Sequence, residues 1–285
     1  MMAMCSPKVM RSVQERIERE GLPSLSRRNF LQLGAMSALG ALATSILRAN
    51  GVARASSNVE VIDLSHVFGT NIPTYLPDEK PKREDYVTVE KDGFYIQRWT
   101  YTEHAGTHVD IPAHFIAKAT TADVYPAQQL VGQAVVIDIT EKAAREADST
   151  LDMDDVMAWE RANGKIPEGA IVFMYSGWDS RWSDLLAFRN ADANDVQHYP
   201  GVSAEAAVFL IEERKVKGIG VDTLSLDFGA STTFDAHYAI LGRECFGIEN
   251  VANLAQIKGR EAMVVVGMPR WEEGSGGPAR VLALV

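Results

Sequence analysis

The segment His104-Ala-Gly-Thr-His108-Val-Asp110-Ile-Pro-Ala-His114-Phe115 carries three of the six histidines of the chain and one carboxylate within eleven residues. Imidazole nitrogen and carboxylate oxygen are ligands that a borderline divalent ion such as Zn²⁺ accepts. The spacing His-x3-His-x-Asp-x3-His therefore predicts a metal site, and metal-assisted hydrolysis is the first functional hypothesis.

The same segment constrains its own backbone. A helix would place His104 and His108 on one face and Asp110 on another, and both Gly106 and Pro112 oppose a helix. In an extended chain, all of the ligand candidates point to one side. An ideal strand separates the Cα atoms of His104 and His108 by about 13 Å, so their imidazoles barely reach one ion. We predict a strand that bends at Gly106 and stops pairing at Pro112.

Strands and helices mix without strict alternation along the rest of the chain. β-Branched and aromatic runs predict strands at residues 59–64, 86–90, 94–101, 134–139, 170–175, 218–221 and 262–267. Helices are predicted at residues 154–162, at 203–217 with Ser203 as N-cap and Gly218 as stop, at 234–241, and from Glu249-Asn250 to 255. This mixture predicts a single α/β (α+β) domain with a mixed, partly antiparallel sheet.

The N-terminal region is typical of an export signal. Ser26-Arg27-Arg28-Asn29-Phe30-Leu31 precedes a Gly/Ala-rich apolar run at residues 33–47, and Ala53-Arg54-Ala55 is a small-x-small cleavage site. We predict a twin-arginine signal peptide over residues 1–55, recognised by the twin-arginine translocase, and a periplasmic protein spanning residues 56–285. An amphipathic or membrane-anchor helix is the alternative, and retention of the signal as an anchor stays open.

Charge and cysteine content exclude several classes of protein. Residues 1–55 hold eight Lys/Arg and three Asp/Glu, so their removal changes the formal charge from −10 to −15. An acidic domain repels phosphate backbones, which argues against nucleic-acid binding. Cys245 is the single cysteine of residues 56–285, and its apolar neighbours predict a buried inert thiol. No second apolar run approaches membrane-spanning length, so we predict no membrane contact for residues 56–285.

Beyond the histidine segment, several motifs make the chain similar to one family. They are Val61-Ile-Asp-Leu-Ser65, His104 to Asp110 with Pro112 and His114-Phe115, Ser176-Gly177-Trp178, Tyr199-Pro200-Gly201, residues 219–227, His237 and Glu249-Asn250. The chain resembles the cyclase family of metal-dependent hydrolases, which includes bacterial kynurenine formamidase and isatin hydrolase. The resemblance implies a compact swivelling β/β/α-type domain that assembles as a homodimer or homotetramer.

The resemblance also implies the site. It assigns a first ion to His104, His108 and Asp110, a second ion, bridged by Asp110, to His237 and Glu249, and the acid/base role to His114. The cofactor would be Zn or Mn, with one or two ions per subunit. Some members hold one ion and carry Gln where this chain has Glu249. A carboxylate there favours a second dication, so Glu249-Asn250 favours the formamidase pattern.

The expected reaction is hydrolysis of a C–N bond in a small aromatic or cyclic amide, such as an aryl formamide. Metal-activated water attacks the carbonyl carbon, and His114 serves as general base and then acid. A ring-opening hydrolase of isatin or of a lactone is the alternative, and an exported non-catalytic metal- or ligand-binding protein is the alternative of another class. Tyr75, Trp178 and Phe234 are candidate substrate contacts, although aromatic residues are more often core.

The other polar residues have structural interpretations. His66, which follows the first predicted strand, is expected to be structural, with pocket lining as the alternative. His198 is expected to pack or to face solvent, and Asp222 and Asp227 are expected to be structural. The proline-containing segment 71–83, with Thr74 to Leu76 at its tip, is either a loop over a pocket or a plain surface connection.

Overall fold

Thirteen strands and seven helices form in residues 59–285, the part of the chain that the computed structural model describes. The strands are β1 (Val61–Asp63), β2 (Lys82–Val87), β3 (Ile96–Thr100), β4 (His108–Asp110), β5 (Val131–Asp138), β6 (Thr150–Leu151), β7 (Ile171–Tyr175), β8 (Gly201–Val202), β9 (Gly218–Val221), β10 (Phe246–Glu249), β11 (Met263–Gly267), β12 (Gly276–Pro278) and β13 (Arg280–Leu284). The helices are α1 (Val89–Asp92), α2 (Thr140–Arg145), α3 (Met153–Asn163), α4 (Leu185–Arg189), α5 (Ala204–Arg214), α6 (Asp235–Leu241) and α7 (Leu254–Ile257). The predicted signal lies outside the described residues.

Two compact units are present, and residues 83–98 form the smaller one. There, β2 and β3 pair in a two-stranded sheet, and Arg98 contacts Glu84 at 2.7 Å. The predicted strand at 86–90 is wrong beyond residue 87, because α1 begins at Val89. The Thr88 N–H donates to the Asp92 carboxylate, and Gly93 at φ 78° ends the helix.

The larger unit, residues 59–82 and 99–285, contains a nine-stranded mixed sheet in the order β1-β13-β11-β5-β7-β9-β10-β4-β12. Strands β5, β7, β9 and β10 are parallel, whereas the pairs on both sides of this block are antiparallel. The prediction of a partly antiparallel sheet is confirmed. Strands β10, β12 and β13 were not predicted, since Gly276–Pro278 and Phe246–Glu249 contain glycine or proline and lack a clear alternating pattern.

Both faces of the central sheet are covered. Along β5, Val135 and Ile137 belong to one buried cluster, whereas Ala134 and Val136 belong to another, as the period of two requires. The first cluster contains residues from α3, α5 and α6, and the second contains residues from α7, β11 and β13. Continuous apolar runs predicted this double burial. Cys245 is buried as expected, and burial raises the pKa of its thiol to about 11.

Helix boundaries follow their caps. Asp152 caps α3 with a capping box, and the Ser203 hydroxyl accepts the Ala206 N–H at 3.2 Å. The predicted stop of α5 at Gly218 is wrong, because Lys215 adopts the left-handed conformation at φ 56° and ends the helix earlier. The helix predicted after Glu249-Asn250 begins only at Leu254, since Asn253 is also left-handed. Within residues 59–285, no helix has the length and apolarity needed to cross a bilayer.

Candidate metal centre and active-site cavity

The histidine segment forms a short buried strand that ends in a turn. Strand β4 carries His108 and Asp110 on one face, and it pairs with β10 so that His108 lies opposite Glu249. Two candidate ligands therefore arrive on one strand and a third on its neighbour. Because β4 lies between β10 and β12, the backbone beneath these side chains is paired on both sides.

The predicted bend occurs at Gly106. Its φ is 70°, and a Cβ atom there would lie 2.9 Å from Cδ2 of Phe68, so both conformation and space require glycine. The Gly106 carbonyl accepts hydrogen bonds from His108 Nδ1 and from Asn250 Nδ2, each at 2.9 Å. The bend turns the chain so that His104 approaches Asp110, with His104 Nδ1 2.7 Å from Asp110 Oδ1.

Pro112 ends strand pairing and begins a 3-10 turn, Pro112–His114. This turn places the His114 ring on the His104 ring, with centroids 3.7 Å apart and planes inclined by 21°. Burial lowers the pKa of His114 to about 4. The imidazole of His114 is therefore neutral at pH 7 and has a free lone pair, and its lowered pKa makes it a weaker base than an unperturbed histidine.

Asp110 is the centre of the cluster. His108 Nε2 lies 3.3 Å from Asp110 Oδ1 and 3.3 Å from Glu249 Oε2. His237 Nε2, from α6, lies 3.5 Å from Asp110 Oδ2 and 3.2 Å from Glu249 Oε1. The structure thus brings together His104, His108, Asp110, His114, His237 and Glu249, which are the six residues implied as metal ligands or acid/base.

Hydrogen bonds outside the cluster orient two of the rings. His108 Nδ1 contacts the Gly106 carbonyl, and His237 Nδ1 contacts Asp227 Oδ2 at 2.6 Å. Each contact is satisfied when Nδ1 carries the hydrogen, which leaves Nε2 free towards the carboxylates. Asp227 also accepts the Ala236 and His237 backbone N–H groups, so it fixes the start of α6 as well as the ring.

The buried charges attract cations. Burial disfavours ionisation of Asp110 and Glu249, yet neighbouring imidazoles outweigh it and hold both carboxyl pKa values below their ordinary range. Burial likewise lowers the pKa of His108, but Asp110 and Glu249 outweigh it and raise that pKa to about 10. Two buried carboxylates therefore require positive charge beside them, which the His108 imidazolium supplies and which a divalent ion would also supply.

The residues present fit a divalent ion. Asp110 Oδ2 is buried and has no hydrogen-bond partner, which is costly for a carboxylate oxygen unless a cation satisfies it. Two groups have ligand atoms within 4.8 Å of one another, and Asp110 belongs to both: His104, Asp110 and His114, and His108, Asp110 and Glu249. Mixed nitrogen and oxygen donors of this kind suit zinc or manganese.

A cavity of about 260 Å³ opens above this cluster. Tyr75 and Phe234, both predicted substrate contacts, line it together with Phe115, whose ring stacks on His237 at 4.4 Å. The segment around Tyr75 is therefore part of the cavity wall rather than a plain surface connection. Trp178 does not line this cavity, and its prediction is wrong: it is buried with Phe188, to whose carbonyl its Nε1 donates at 2.8 Å.

Two other histidines lie outside the cluster. His66 stacks on Trp182 at 3.9 Å and lines a separate cavity of about 380 Å³ with Phe68, so both of its interpretations hold. His198 pairs with Asp148 at 2.6 Å. Asp222 is fully buried and accepts the Ser176 and Trp178 N–H groups, in agreement with a structural role.

Sequence reasoning missed the residues that support the ligands. Asp227 was assigned a structural role, although its spacing ten residues before His237 offered a weak signal for an acid–histidine pair. Ser275, whose Oγ lies 2.9 Å from His104 Nε2, is 171 residues away along the chain, so no local pattern could reveal it. Asn250, which holds the Gly106 bend, was found only by resemblance.

Comparison with known proteins agrees with this fold and cluster. Residues 62–228 match the Putative cyclase family model. Isatin hydrolase of Roseibium aggregatum is 33% identical over 270 residues, covering 89% of this chain and 99% of that protein. A solved isatin hydrolase bound to the product analogue thioisatinate has a TM-score of 0.75 at 32% identity, covering 88% of this chain and 98% of that one. Kynurenine formamidase of Erythrobacter litoralis is 25% identical over 190 residues, covering 65% and 76%.

The mixed α/β fold and the acid–histidine cluster define the chain as a hydrolase rather than a non-catalytic binding protein, because the named relatives are hydrolases of non-peptide C–N bonds. The chain belongs to the cyclase family. The predictions of this family, of its fold and of its class of enzyme are confirmed.

Proposed function

We propose that this protein is a metal-dependent hydrolase that opens the ring of an isatin-type aromatic cyclic amide. The observation that carries the proposal is the buried Asp110 Oδ2, which has no hydrogen-bond partner and lies 3.5 Å from His237 Nε2, beneath a cavity with aromatic walls. The chain is 33% identical to isatin hydrolase over 89% of its length, and this similarity supports the substrate class. Phe115 and Phe234, with ring centroids 5.5 Å apart, provide apolar surfaces suited to a flat aromatic substrate.

The family resemblance divides the candidate ligands into two sets that share Asp110, a division that differs from the two geometric groups described above. His104, His108 and Asp110 would hold one ion, and Asp110, His237 and Glu249 would hold another, with zinc or manganese as the metal. A bound divalent ion supplies Lewis acidity, which lowers the pKa of a water molecule and polarises a carbonyl oxygen. Glu249 also accepts the Leu226 N–H at 2.9 Å, which fixes the carboxylate that faces His108 and His237.

His114 performs the proton transfers. Its neutral imidazole takes a proton from the attacking water as the new C–O bond forms at the carbonyl carbon. The resulting imidazolium then gives the proton to the amide nitrogen as the C–N bond breaks. The products are a free amine and a carboxylic acid, which becomes a carboxylate by releasing its remaining proton to solvent. The stacking on His104 holds the His114 ring beside the ligand cluster throughout these steps.

A kynurenine formamidase activity is the second candidate. The observation that favours it is Glu249, since a carboxylate at this position suits two dications, as the resemblance to the formamidase pattern implies. Glu249 is buried and lies within 3.3 Å of both His108 and His237. Isatin and N-formylkynurenine both present an amide carbonyl beside a benzene ring, so the substrate panel has to separate the two activities.

The test is a substrate panel with controlled metal content. Isatin, N-formylkynurenine, a simple aryl formamide and a lactone are assayed by ultraviolet absorbance with chelator-treated protein and with added Zn²⁺ or Mn²⁺. We expect isatin turnover that disappears with chelator and returns with one of the metals. Preferred turnover of the formamides supports the second candidate. Absence of turnover on every substrate by metal-replete protein overturns both.

We also propose that the protein acts in the periplasm as a homodimer or homotetramer. The twin-arginine pattern at Arg27-Arg28 supports export. Twin-arginine substrates cross the membrane already folded, so the metal can be bound before export. Size-exclusion chromatography with light scattering measures the assembly, and a monomer at micromolar concentration contradicts the oligomeric part of this proposal.

A further inference from the structure

A short segment from near the end of the chain packs directly against His104. The Ser275 N–H and Oγ–H both donate to the Glu103 carboxylate, at 3.2 and 2.6 Å, and the Ser275 carbonyl accepts the Ile111 N–H at 2.9 Å. Ser275 is therefore held on both sides by the segment that carries the ligands. Its position depends on backbone pairing as well as on the side chain.

The two glycines that flank Ser275 allow this close approach. A Cβ atom at Gly276 would lie 2.7 Å from His104 Cε1, and one at Gly274 would lie 2.8 Å from Glu103 Oε1. Any side chain at either position would displace the ring or the carboxylate. The backbone thus forms one wall of the space that the His104 imidazole occupies.

The two contacts of the Ser275 hydroxyl, with the Glu103 carboxylate and with His104, have one consistent hydrogen placement. The Ser275 hydroxyl has a single hydrogen, and the 2.6 Å contact with the Glu103 carboxylate requires it. The 2.9 Å contact between Ser275 Oγ and His104 Nε2 then needs a hydrogen on the nitrogen. With Nε2 protonated in the neutral ring, His104 Nδ1 keeps its lone pair. This atom lies 2.7 Å from Asp110 Oδ1, and two such acceptors repel each other unless a cation binds both of them.

We propose that Glu103 and Ser275 are positioning residues that hold His104 as the Nε2–H tautomer, so that Nδ1 is the metal ligand. This inference rests on the metal site of the proposed function. His104 would then bind the metal through Nδ1. His108 and His237 differ, because their Nδ1 atoms make hydrogen bonds and their Nε2 atoms face the carboxylates. A hydrogen-bonded partner of this kind fixes ring orientation and raises the basicity of the ligand.

The first test is the zinc affinity of the purified full protein, measured by competition with a chromogenic chelator. We expect Ser275→Ala to weaken zinc binding roughly 10- to 100-fold, in the range typical of lost partners of metal-bound histidines. Ser275→Thr, which keeps the hydroxyl, should recover most of the affinity. Glu103→Gln should weaken binding, whereas Glu272→Gln, an exposed acid with the same charge loss, should leave it unchanged.

The second test reads the tautomer directly. Long-range ¹H–¹⁵N spectra of the zinc-loaded protein should assign the hydrogen of His104 to Nε2. A hydrogen on Nδ1 overturns the proposal, as does zinc affinity of Ser275→Ala and Glu103→Gln within twofold of wild type. A wild-type protein that binds no zinc overturns it too. Zinc binding without hydrolysis of any substrate would contradict the proposed function but not this inference. The zinc-affinity and tautomer measurements do not use a substrate.

Discussion

At the scale of single residues, the site combines groups with opposite electrostatic surroundings. His114 and His108 lie in one cluster, yet burial lowers the pKa of His114 to about 4, whereas two carboxylates raise that of His108 to about 10. The ring that lies farther from the acids is therefore the neutral one. This separation supports the proposed proton-transfer role of His114 and the proposed ligand role of His108.

Replacing His114 tests its role in proton transfer. His114→Ala should lower kcat by about 10²- to 10⁴-fold, the usual contribution of a general acid or base. Metal content, measured by elemental analysis, should stay close to wild type, since the other candidate ligands remain. His108→Ala is the matched comparison and should lose metal. Full activity in His114→Ala would show that another group moves the proton.

His66 gives a pH prediction away from the metal centre. Burial lowers its pKa from 6.5 to about 4. Below pH 6.5, His66 therefore binds a proton in the unfolded chain but not in the folded protein. Stability is therefore lost as the pH falls from about 6.5 to 4. His66→Phe keeps the stacking on Trp182 and should reduce the loss between pH 7 and 5 by about 1–2 kcal/mol, measured by urea unfolding.

His198 provides the control for this measurement. The hydrogen bond that His198 donates to the Asp148 carboxylate raises the pKa of His198, so His198 stabilises the folded protein at low pH and loses that contribution as the pH rises. His198→Gln should therefore leave the acid loss of stability equal or larger. An acid loss in His66→Phe as large as that of wild type would contradict the prediction for His66.

At the scale of elements, strand β4 and its two ends account for the site. The sequence allowed prediction of the bend at Gly106 and the stop at Pro112, because those residues restrict the backbone locally. Nothing local predicted that β10 and β12 would be the neighbours of β4, since pairing between distant strands depends on tertiary packing. The ligands of the segment were thus predictable, while the supporting contacts from Asp227 and Ser275 were not.

The bend itself can be tested by comparing two glycines that both have a positive φ, Gly106 and Gly259. Gly106→Ala should both strain the backbone and clash with Phe68, whereas Gly259→Ala, at φ 74° with no atom within 4 Å of its Cβ, adds strain alone. We expect Gly106→Ala to lose about 1–3 kcal/mol of stability and to weaken metal binding. Equal metal affinity and melting temperature in the two variants would mean that the bend does not position the ligands.

At the scale of the whole molecule, the fold class was predictable and the topology was not. Runs such as residues 170–175 read as doubly buried strands, and the mixture of elements excluded strict alternation. The antiparallel strands on both sides of the parallel block include β12 and β13, whose pairing is set by neighbours far along the chain. The negative charge argued against a nucleic-acid-binding protein, and the histidine segment predicted metal-assisted hydrolysis.

Metal removal should affect the stability of the entire larger unit, because the candidate ligands come from β4, β10 and α6. A metal at a hundred times its Kd adds about 2.7 kcal/mol to a folded protein. We expect a chelator to lower Tm by several degrees and added Zn²⁺ or Mn²⁺ to restore it, by scanning calorimetry. An unchanged Tm in protein from which the metal has verifiably been removed would contradict this linkage.

The proposed export can be tested at the arginine pair of the predicted signal. Replacing both Arg27 and Arg28 with lysine should keep the protein in the cytoplasm, since the arginine pair is the recognised part of the signal. Cell fractionation followed by immunoblotting measures the distribution, with Lys8→Ala as a control for a basic residue outside the pair. Undiminished periplasmic protein in the double variant would exclude this route.

The place of Ser275 and β12 beside His104 has a consequence for timing. Strand β12 can pair with β4, and Ser275 can contact His104, only after residue 278 has been translated. His104 and His108 are translated much earlier. We therefore expect the contacts around His104 to be completed late in synthesis, so cation binding at the proposed site would also be late.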